Sequence, residues 1–190
     1  MTPSLETRRL LLRPLELEDA EQAPPLFPHW EIVRYLNNRV PWPYPAGGVH
    51  AYYREVALPA IEQGEEWHWT LRPKDFPGRM IGCITLMKRE DSNRGPWLGL
   101  PWHGQGLMTE ACEAVTDYWF DRLKFPVLRV PKAIANAASR RISEKTGMRI
   151  VALTERDYVS GRHPTELWEI TAAEWWDRRQ AALPNRHRKK

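Results

Sequence analysis

The segment Trp102-His103-Gly104-Gln105-Gly106-Leu107-Met108-Thr109-Glu110-Ala111 decides the fold. It lies between a predicted strand at residues 97–100 and a predicted helix at residues 108–123. Its two glycines stand where the chain turns from extended to helical, so several backbone N–H groups are directed into one concavity at the positive end of a helix. Such a concavity suits a phosphate or pyrophosphate. On spacing alone, a turn with glycines for steric reasons is an equal alternative.

Two familiar nucleotide-binding loops are excluded by the spacing. A dinucleotide fingerprint needs a third glycine at position 109, where this chain has Thr109. A mononucleotide P-loop needs Gly-x-x-x-x-Gly-Lys-Ser/Thr, and the sequence contains no such run. The glycine turn therefore belongs to another class of anion-binding loop, if it binds an anion.

A second segment, Asn136-Ala137-Ala138-Ser139-Arg140-Arg141-Ile142-Ser143-Glu144-Lys145-Thr146-Gly147-Met148, is typical of a short helix. Asn136 suits an N-cap, and Gly147 suits a left-handed stop after the last turn. With the glycine turn about thirty residues before it, this segment resembles the GNAT superfamily of acyl-coenzyme A N-acyltransferases. The opening residues 5–14, the segment 158–161 and the pair Glu174-Trp175 resemble its Rim-type branch.

The resemblance implies a fold and a domain organisation. The expected fold is α+β, a mixed and mostly antiparallel sheet with helices on both faces, in a single domain at residues 1–183 followed by a basic tail at 184–190. In this fold two parallel strands splay apart around the acyl-pantetheine arm, and the candidates are residues 97–100 and 127–135. Each carries a proline, Pro96 beside the first and Pro131 in the second, which removes a ladder donor. The prolines mark either ordinary edge positions or the border of that gap.

Local patterns predict the remaining elements. A first strand is expected at residues 10–13, a hairpin of 67–71 with 80–87, and a final hairpin of 148–159 with 165–171. Residues 16–36 are expected to be helical but broken by Pro24, Pro25 and Pro28, and a helix at 49–63 to be bent or interrupted near Pro59. Residues 37–48 form a loop, and a helix at 172–182 closes the chain.

The resemblance also implies acetyl-coenzyme A as co-substrate, with no metal. The residues assigned to it are the strand residues Leu98, Gly99 and Leu100, the loop residues His103, Gly104, Gln105, Gly106, Leu107, Met108 and Thr109, and the helix cap Asn136. His103 departs from the usual Gln/Arg of the first motif and Met108 from its last Gly/Ala. Met108 is expected to narrow the room for the pyrophosphate.

Amine attack on a thioester needs a proton for the leaving thiolate and a route for the amine proton. Many relatives use a tyrosine of the second motif as the acid; residues 136–148 contain none, and Ser139 is the matching hydroxyl. His68 has a suitable intrinsic pKa for a base. The other candidates are Glu65, Glu66, His163 or a chain of water, and the predicted acceptor pocket contains Trp42, Tyr44 and Glu66.

Composition limits the classes of protein. Hydrophobic residues make up 42% and charged residues 27%, an ordinary globular balance, and no apolar run approaches the ~20 residues that span a membrane. The net charge of +4 comes from the tail, where Arg186, Arg188, Lys189 and Lys190 leave the rest of the chain neutral. A cytoplasmic protein is expected, and the cysteines Cys83 and Cys112 are expected to be buried and reduced.

The sequence thus predicts an acetyl-coenzyme A-dependent N-acetyltransferase. Its acceptor is a primary amine, either a protein N-terminal α-amine or a small molecule. The alternative is a non-catalytic acyl-coenzyme A-binding sensor or scaffold. Nucleic acid is not expected as a partner apart from weak contact of the basic tail with RNA or a ribosome. Homodimerisation is left open.

Overall fold

The computed structural model describes residues 2–182, so the predicted basic tail lies outside the described residues. Eight strands form two antiparallel sheets. The strands are β1 (Leu5–Glu6), β2 (Leu10–Pro14), β3 (Glu66–Pro73), β4 (Gly82–Met87), β5 (Arg94–Leu98), β6 (Val127–Ala133), β7 (Arg149–Tyr158) and β8 (Gly161–Thr171). The first five pair in the order β1-β2-β3-β4-β5, and the last three in the order β6-β8-β7. Both predicted hairpins are confirmed.

The two sheets meet at one junction. The N–H of Asn93 donates to the carbonyl of Arg129 at 2.8 Å, and the N–H of Arg129 donates to Oδ1 of Asn93 at 2.7 Å. Within the described residues no ladder pairs β5 with β6 beyond this point. Both strands start beside the junction and leave it without pairing with each other. The predicted gap between these strands is therefore present.

The two strand prolines border this gap. The N–H of Gly99 donates to Ile81 in the neighbouring strand segment, so by alternation Leu98 and Pro96 turn their backbone groups toward the gap. On the other side of the gap, the carbonyl of Arg129 accepts from the N–H of Asn93. Pro131 lies two residues further along β6, so its nitrogen also faces the gap. No ladder bond is lost at either position, which accounts for proline in both strands.

Helices cover both faces of the sheets, as predicted. On one face lie α4 (Leu107–Asp121), α5 (Ala137–Lys145) and α6 (Ala172–Ala181). On the other lie a 3-10 turn (Leu17–Glu21), α1 (Trp30–Val33), α2 (Gly48–Tyr52) and α3 (Leu58–Glu62). Within residues 2–182 no helix has the length and apolar character needed to cross a membrane.

Each face has its own hydrophobic core, set by the alternation of strand side chains. Trp67, Trp69 and Leu71 of β3 pack on the α4 side. Cys83 packs on the opposite side with the early helices, and Cys112 of α4 lies in the first core. Both thiols are buried and free, which confirms the prediction for the cysteines.

The segment from Gly48 to Glu62 is one helix with a wide turn in it. A π-helical turn spans Tyr53–Ala57, and the N–H of Leu58 bonds the carbonyl of Tyr53, five residues back. Pro59 has no N–H to offer the carbonyl four residues before it, so the regular ladder cannot continue through this point. The predicted interruption near Pro59 is confirmed, and the irregularity begins before the proline.

Two predicted elements differ from the structure. Residues 16–36 contain only the 3-10 turn and the single turn of α1, because the prolines at 24, 25 and 28 remove donors over most of the segment. The strand predicted at residues 97–100 ends at Leu98, and a 3-10 turn (Leu100–Trp102) follows it. Pro101 in the first turn of that element suits a helical start better than a strand.

Candidate active site

The glycine turn ends in a helix whose first N–H groups have no side-chain cap. Gly104 and Gly106 adopt left-handed backbone angles, with φ of +74° and +76°. Gly106 is the N-cap of α4, and the first N–H to return to the helix is that of Glu110, which bonds the carbonyl of Gly106 at 3.1 Å. The N–H groups of Leu107, Met108 and Thr109 have no partner within the helix.

There is room in front of these N–H groups. A Cβ built on Gly104 would meet no atom within 4 Å, and one on Gly106 would meet only Nη2 of Arg9, at 3.6 Å. Three unpaired donors at the positive end of a fifteen-residue helix fit a pyrophosphate. The arrangement agrees with the predicted role of the loop.

Arg9 brings a positive charge to this loop. Its Nη1 donates to the carbonyl of Gln105 at 3.0 Å. Its backbone N–H and its Nε donate to the carboxylate of Glu110, each at 2.7 Å. Sequence reasoning missed Arg9 as a site residue, and the only signal was its position in the opening segment that resembles Rim-type proteins.

Glu110 holds Arg9 in place as an ionised carboxylate. Burial raises its pKa, but hydrogen bonds from Thr7 and from Arg9 outweigh burial, so the pKa of Glu110 is lowered. Oγ1 of Thr7 donates to Oε1 at 2.5 Å. The start of β2 is therefore tied to the first turn of α4.

His103 has a specific task that its sequence position did not reveal. Its Nε2 lies 2.7 Å from the carbonyl oxygen of Leu98. A carbonyl can only accept, so Nε2 carries the hydrogen and donates it. The imidazole thus fastens the end of β5 to the glycine turn.

The predicted pantetheine contacts of Leu98, Gly99 and Leu100 stay a prediction, and several of their backbone groups have partners within the protein. The carbonyl of Leu98 accepts from His103, and both backbone groups of Gly99 are used, its N–H by Ile81 and its carbonyl by Trp102. The carbonyl of Leu100 accepts from the N–H of His103 at 3.1 Å. Of these three residues, only the N–H of Leu98, which faces the gap, and that of Leu100, at the start of its 3-10 turn, are left as donors within the described part of the chain.

Met108 does not occupy the anion loop with its side chain. That side chain is buried in the α4-side core with those of Ala111 and Cys112. The expected narrowing of the pyrophosphate site is therefore wrong. Leu107 is buried in the same way, so only the backbone of these two residues faces the loop.

The second motif starts at the same end of the gap. β6 ends at Ala133 and α5 begins at Ala137, so the N-termini of α4 and α5 both follow strands that border the gap. Oδ1 of Asn136 accepts from the N–H of Ser139 at 3.2 Å, which confirms the predicted cap. Oγ of half-buried Ser139 accepts from Nζ of Lys132 at 2.6 Å. Sequence reasoning missed Lys132.

Glu66 and His68 form a buried pair on the other face of β3. His68 is 2% exposed; its Nε2 lies 2.7 Å from Oε2 of Glu66, and its Nδ1 lies 3.0 Å from Oγ1 of Thr85. Burial raises the pKa of Glu66, but the hydrogen bond from His68 and the charges of His68 and Arg89 prevail, so this pKa is lowered. Both ring nitrogens of His68 are engaged within the protein.

The two other base candidates lie elsewhere. Glu65 is an exposed partner of Lys88 at 3.5 Å. Nε2 of His163 lies 2.8 Å from Oγ of Ser160, whose own hydrogen is donated to the carbonyl of Arg34 at 2.6 Å. The imidazole must therefore donate to Ser160, which leaves only its Nδ1 to accept a proton.

Trp42 and Tyr44 form an aromatic rim on the α2 side. Trp42 is 42% exposed and its ring lies 5.5 Å from that of Trp30. The ring centroids of Tyr44 and Phe27 lie 5.1 Å apart, and those of Phe27 and Trp97 of β5 are separated by the same distance. A cavity of about 300 Å³ lies beside Tyr44. Tyr44 is thus connected to the gap-bordering strand β5 through Phe27.

The divided sheet with two helix N-termini at its open end defines an acyl-coenzyme A N-acyltransferase fold. The family model for the acetyltransferase (GNAT) domain matches residues 9–149, so the chain belongs to this family. This confirms the resemblance seen in the sequence.

Two relatives of the chain from one bacterium carry names that refer to N-acetyltransferases. YdaF of Bacillus subtilis (strain 168), provisionally named a ribosomal N-acetyltransferase, is 28% identical over 107 residues, which is 53% of this chain and 58% of YdaF; the chain thus spans little more than half of that relative. YjcK of the same organism, named a probable N-acetyltransferase, is 27% identical over 75% of this chain and 82% of YjcK.

Among solved structures, the RimL ribosomal L7/L12 alpha-N-protein acetyltransferase in complex with coenzyme A superimposes with a TM-score of 0.75. It is 14% identical, and the match covers 90% of this chain and 98% of RimL. At this identity the likeness shows the fold alone.

Proposed function

We propose that this protein transfers an acetyl group from acetyl-coenzyme A to a primary amine. The observation that carries the proposal is the pair of helix N-termini at the open end of the gap. One of them, at Gly106, has N–H groups without a cap, and the other presents Asn136 and Ser139. GNAT acetyltransferases use acetyl-coenzyme A, and the free donors fit its pyrophosphate.

Binding of the co-substrate divides among three sets of groups. The N–H groups of residues 104–109, supported by Arg9, would hold the pyrophosphate. The N–H groups of Leu98 and Leu100 would bond the pantetheine carbonyls along the gap. The amide nitrogen of Asn136, whose oxygen is used in its cap, is oriented by that cap to act as a further donor.

Ser139 is the proposed acid for the departing thiolate. It lies in the first turn of α5, and its oxygen is held by Lys132. His68 stays the predicted base, and Glu66, which pairs with it, stays predicted to bind the acceptor. Since both nitrogens of His68 are engaged, a proton would reach the pair through water and not by direct contact with the amine.

We further propose the α-amine of a protein or peptide as the first acceptor class to test. The names of YdaF and RimL refer to ribosomal proteins. The exposed rim of Trp42 with Tyr44 offers apolar contact to the side chains that follow such an amine. A small-molecule amine is the other acceptor class that the site admits.

Calorimetric titration with acetyl-coenzyme A, followed by thiol-release assays, tests the proposal. The acceptor panel contains short peptides with free α-amines, the same peptides with blocked N-termini and an internal lysine, and simple alkylamines. Binding with release on free α-amines supports the proposal in full. Release on alkylamines alone would refute the peptide acceptor. Binding without any release would indicate a non-catalytic binder, and absence of binding at millimolar concentration would refute the function.

A further inference from the structure

Lys132 is a buried cation that folding does not explain. It lies on β6 with its side chain on the α4 side, and it is 7% exposed. Its Nζ donates to Oγ of Ser139, and no carboxylate lies within 4.0 Å of it in residues 2–182. An unpaired buried ammonium opposes folding. Local violations of this kind are expected at functional sites.

Arg94 stands in the same situation on the opposite side of the gap. It belongs to β5, is 5% exposed, and donates to Oγ1 of Thr116 at 2.9 Å and to Sδ of Met148 at 3.7 Å. Within the described residues it too has no carboxylate partner inside 4.0 Å. Two buried cations without a carboxylate partner among the described residues thus lie on the two strands that border the gap.

Every packed element contributes a group that faces Lys132. Burial first, and then the charge of Arg94 from β5, lower the pKa of Lys132 to about 7, against a smaller opposite effect of Cys112 from α4. Glu166 of β8 is its register partner, but that carboxylate accepts from Arg140 of α5 at 2.7 and 2.9 Å and from Trp168 at 3.0 Å.

We propose that Lys132 is a positioning residue that orients the hydroxyl of Ser139 toward the coenzyme A sulfur and replaces its proton. The inference rests on the proposed function. Because Lys132 donates to Oγ, the hydrogen of Ser139 must point elsewhere. Ser139 is half-buried on the first turn of α5, which follows the gap-bordering strand β6, so this hydrogen can be donated to a group bound there.

The step conserves protons and electrons. The acceptor nitrogen bonds to the acetyl carbonyl carbon while the carbon–sulfur bond breaks, and the electron pair leaves with sulfur. Ser139 gives its proton to sulfur, and Lys132 gives one to the oxygen of Ser139 and becomes neutral. The nitrogen loses one proton to water, and Lys132 regains one from water.

The test compares Lys132→Met with Lys132→Arg, with exposed Lys145→Met on α5 as the control. Wild-type kcat is expected to fall as pH rises above about 7, because the neutral amine of Lys132 cannot supply a proton. Lys132→Met should lower kcat about 100-fold and remove this decline of kcat with rising pH. Its calorimetric Kd for acetyl-coenzyme A should stay within about twofold of wild type, because the residue does not bind the pyrophosphate.

The melting temperature separates a positioning role from a structural one. Lys132→Met should melt at the wild-type temperature or above, since an unpaired buried charge is removed. Lys132→Arg should recover part of kcat, because arginine still donates to Ser139, but its kcat should no longer decline near neutrality. Ser139→Ala should also abolish the decline of kcat with rising pH, and Lys145→Met should behave as wild type.

Three outcomes overturn the inference. One is a Lys132→Met variant with wild-type kcat and pH profile. Another is loss of kcat together with a lower melting temperature and weaker cofactor binding, unrelieved in Lys132→Arg, which would make the lysine structural. The third, a wild-type protein that binds acetyl-coenzyme A but releases no thiol with any amine of the panel, refutes the proposed function as well and is distinguished by that wild-type measurement.

Discussion

The N-termini of α4 and α6 solve the same physical problem in opposite ways. α6 begins at Thr171, whose Oγ1 accepts from the N–H of Glu174 at 3.2 Å, while the carboxylate of Glu174 accepts from the N–H of Thr171 at 2.8 Å. α4 begins at Gly106 with no side-chain cap. One helix satisfies its first donors internally, and the other leaves them without a side-chain partner.

The difference teaches how a binding site is recognised without a ligand. A capping box is worth up to about 2 kcal/mol at a helix start, and glycine at the N-cap leaves that stabilisation incomplete. At Gly106 the left-handed backbone angle and the open space in front of Gly104 direct the free donors toward solvent. Substitutions at the two helix starts should therefore have different consequences.

The largest effect is expected from Gly106→Val. A β-branched residue at φ of +76° carries backbone strain of roughly 1–3 kcal/mol and displaces the donors. The Kd for acetyl-coenzyme A should rise about 100-fold, measured by calorimetric titration. Gly64→Val is the matched control, with φ of +68° and open space around it: it should lose similar stability and keep its affinity. Equal affinities of the two variants would contradict the assigned loop.

Arg9→Met should weaken binding by about tenfold, because one charged donor beside the loop is removed and Glu110 loses its partner. The effect should shrink at high salt, as expected for an ionic contribution. Arg13→Met, which replaces an exposed arginine of β2, provides the comparison. An unchanged Kd in Arg9→Met at low salt would show that Arg9 only braces β2 against α4.

Thr171→Ala tests the other helix start. Loss of the cap should cost about 1 kcal/mol in the free energy of unfolding, or roughly 2–4 °C in melting temperature for a chain of this size. Affinity for acetyl-coenzyme A should not change, since α6 begins away from the gap. Weaker binding of acetyl-coenzyme A by Thr171→Ala would contradict the expectation that only the N-terminus of α4, and not that of α6, contributes to binding.

The smallest effect concerns acid stability. Hydrogen bonds from the backbone of Thr171, then from Arg149 and from the hydroxyl of Thr171, lower the pKa of Glu174 from 4.5 to about 2. A carboxylate with a lowered folded-state pKa stabilises the protein above its unfolded pKa and loses this contribution as pH falls toward the folded value. The stability difference between wild type and Glu174→Gln should therefore persist at neutral pH and decline between about pH 4.5 and 2, in acid unfolding followed by circular dichroism. A constant difference across this window would exclude the assigned pKa.

Local signals explain what the sequence predicted well. The cap of Asn136, the stop at Gly147 and the glycine turn each report a backbone requirement within a few residues, and the structure has all three. The two strand prolines were also informative, because a missing donor is tolerated only at an unpaired edge.

Contacts between distant segments explain what it missed. Arg9 and Glu110 are 101 residues apart, so neither reveals the other in a linear pattern. Lys132 and Ser139 are only seven apart, yet their contact depends on how α5 folds back on β6. The bonding of His103 to Leu98 likewise depends on the turn between them, and its ring nitrogens could not be assigned from the sequence.

The junction of Asn93 with Arg129 is the vertex from which β5 and β6 separate. Arg129 is anchored there by ion pairs to Asp91 at 3.0 Å and Glu169 at 2.8 Å. β6 extends about 13 Å beyond it to Ala133, so a rotation of about 10° at the vertex displaces the far end by about 2 Å. The proposed cofactor donors and Ser139 lie toward that far end, so a rotation at the junction would move them more than any residue beside Arg129.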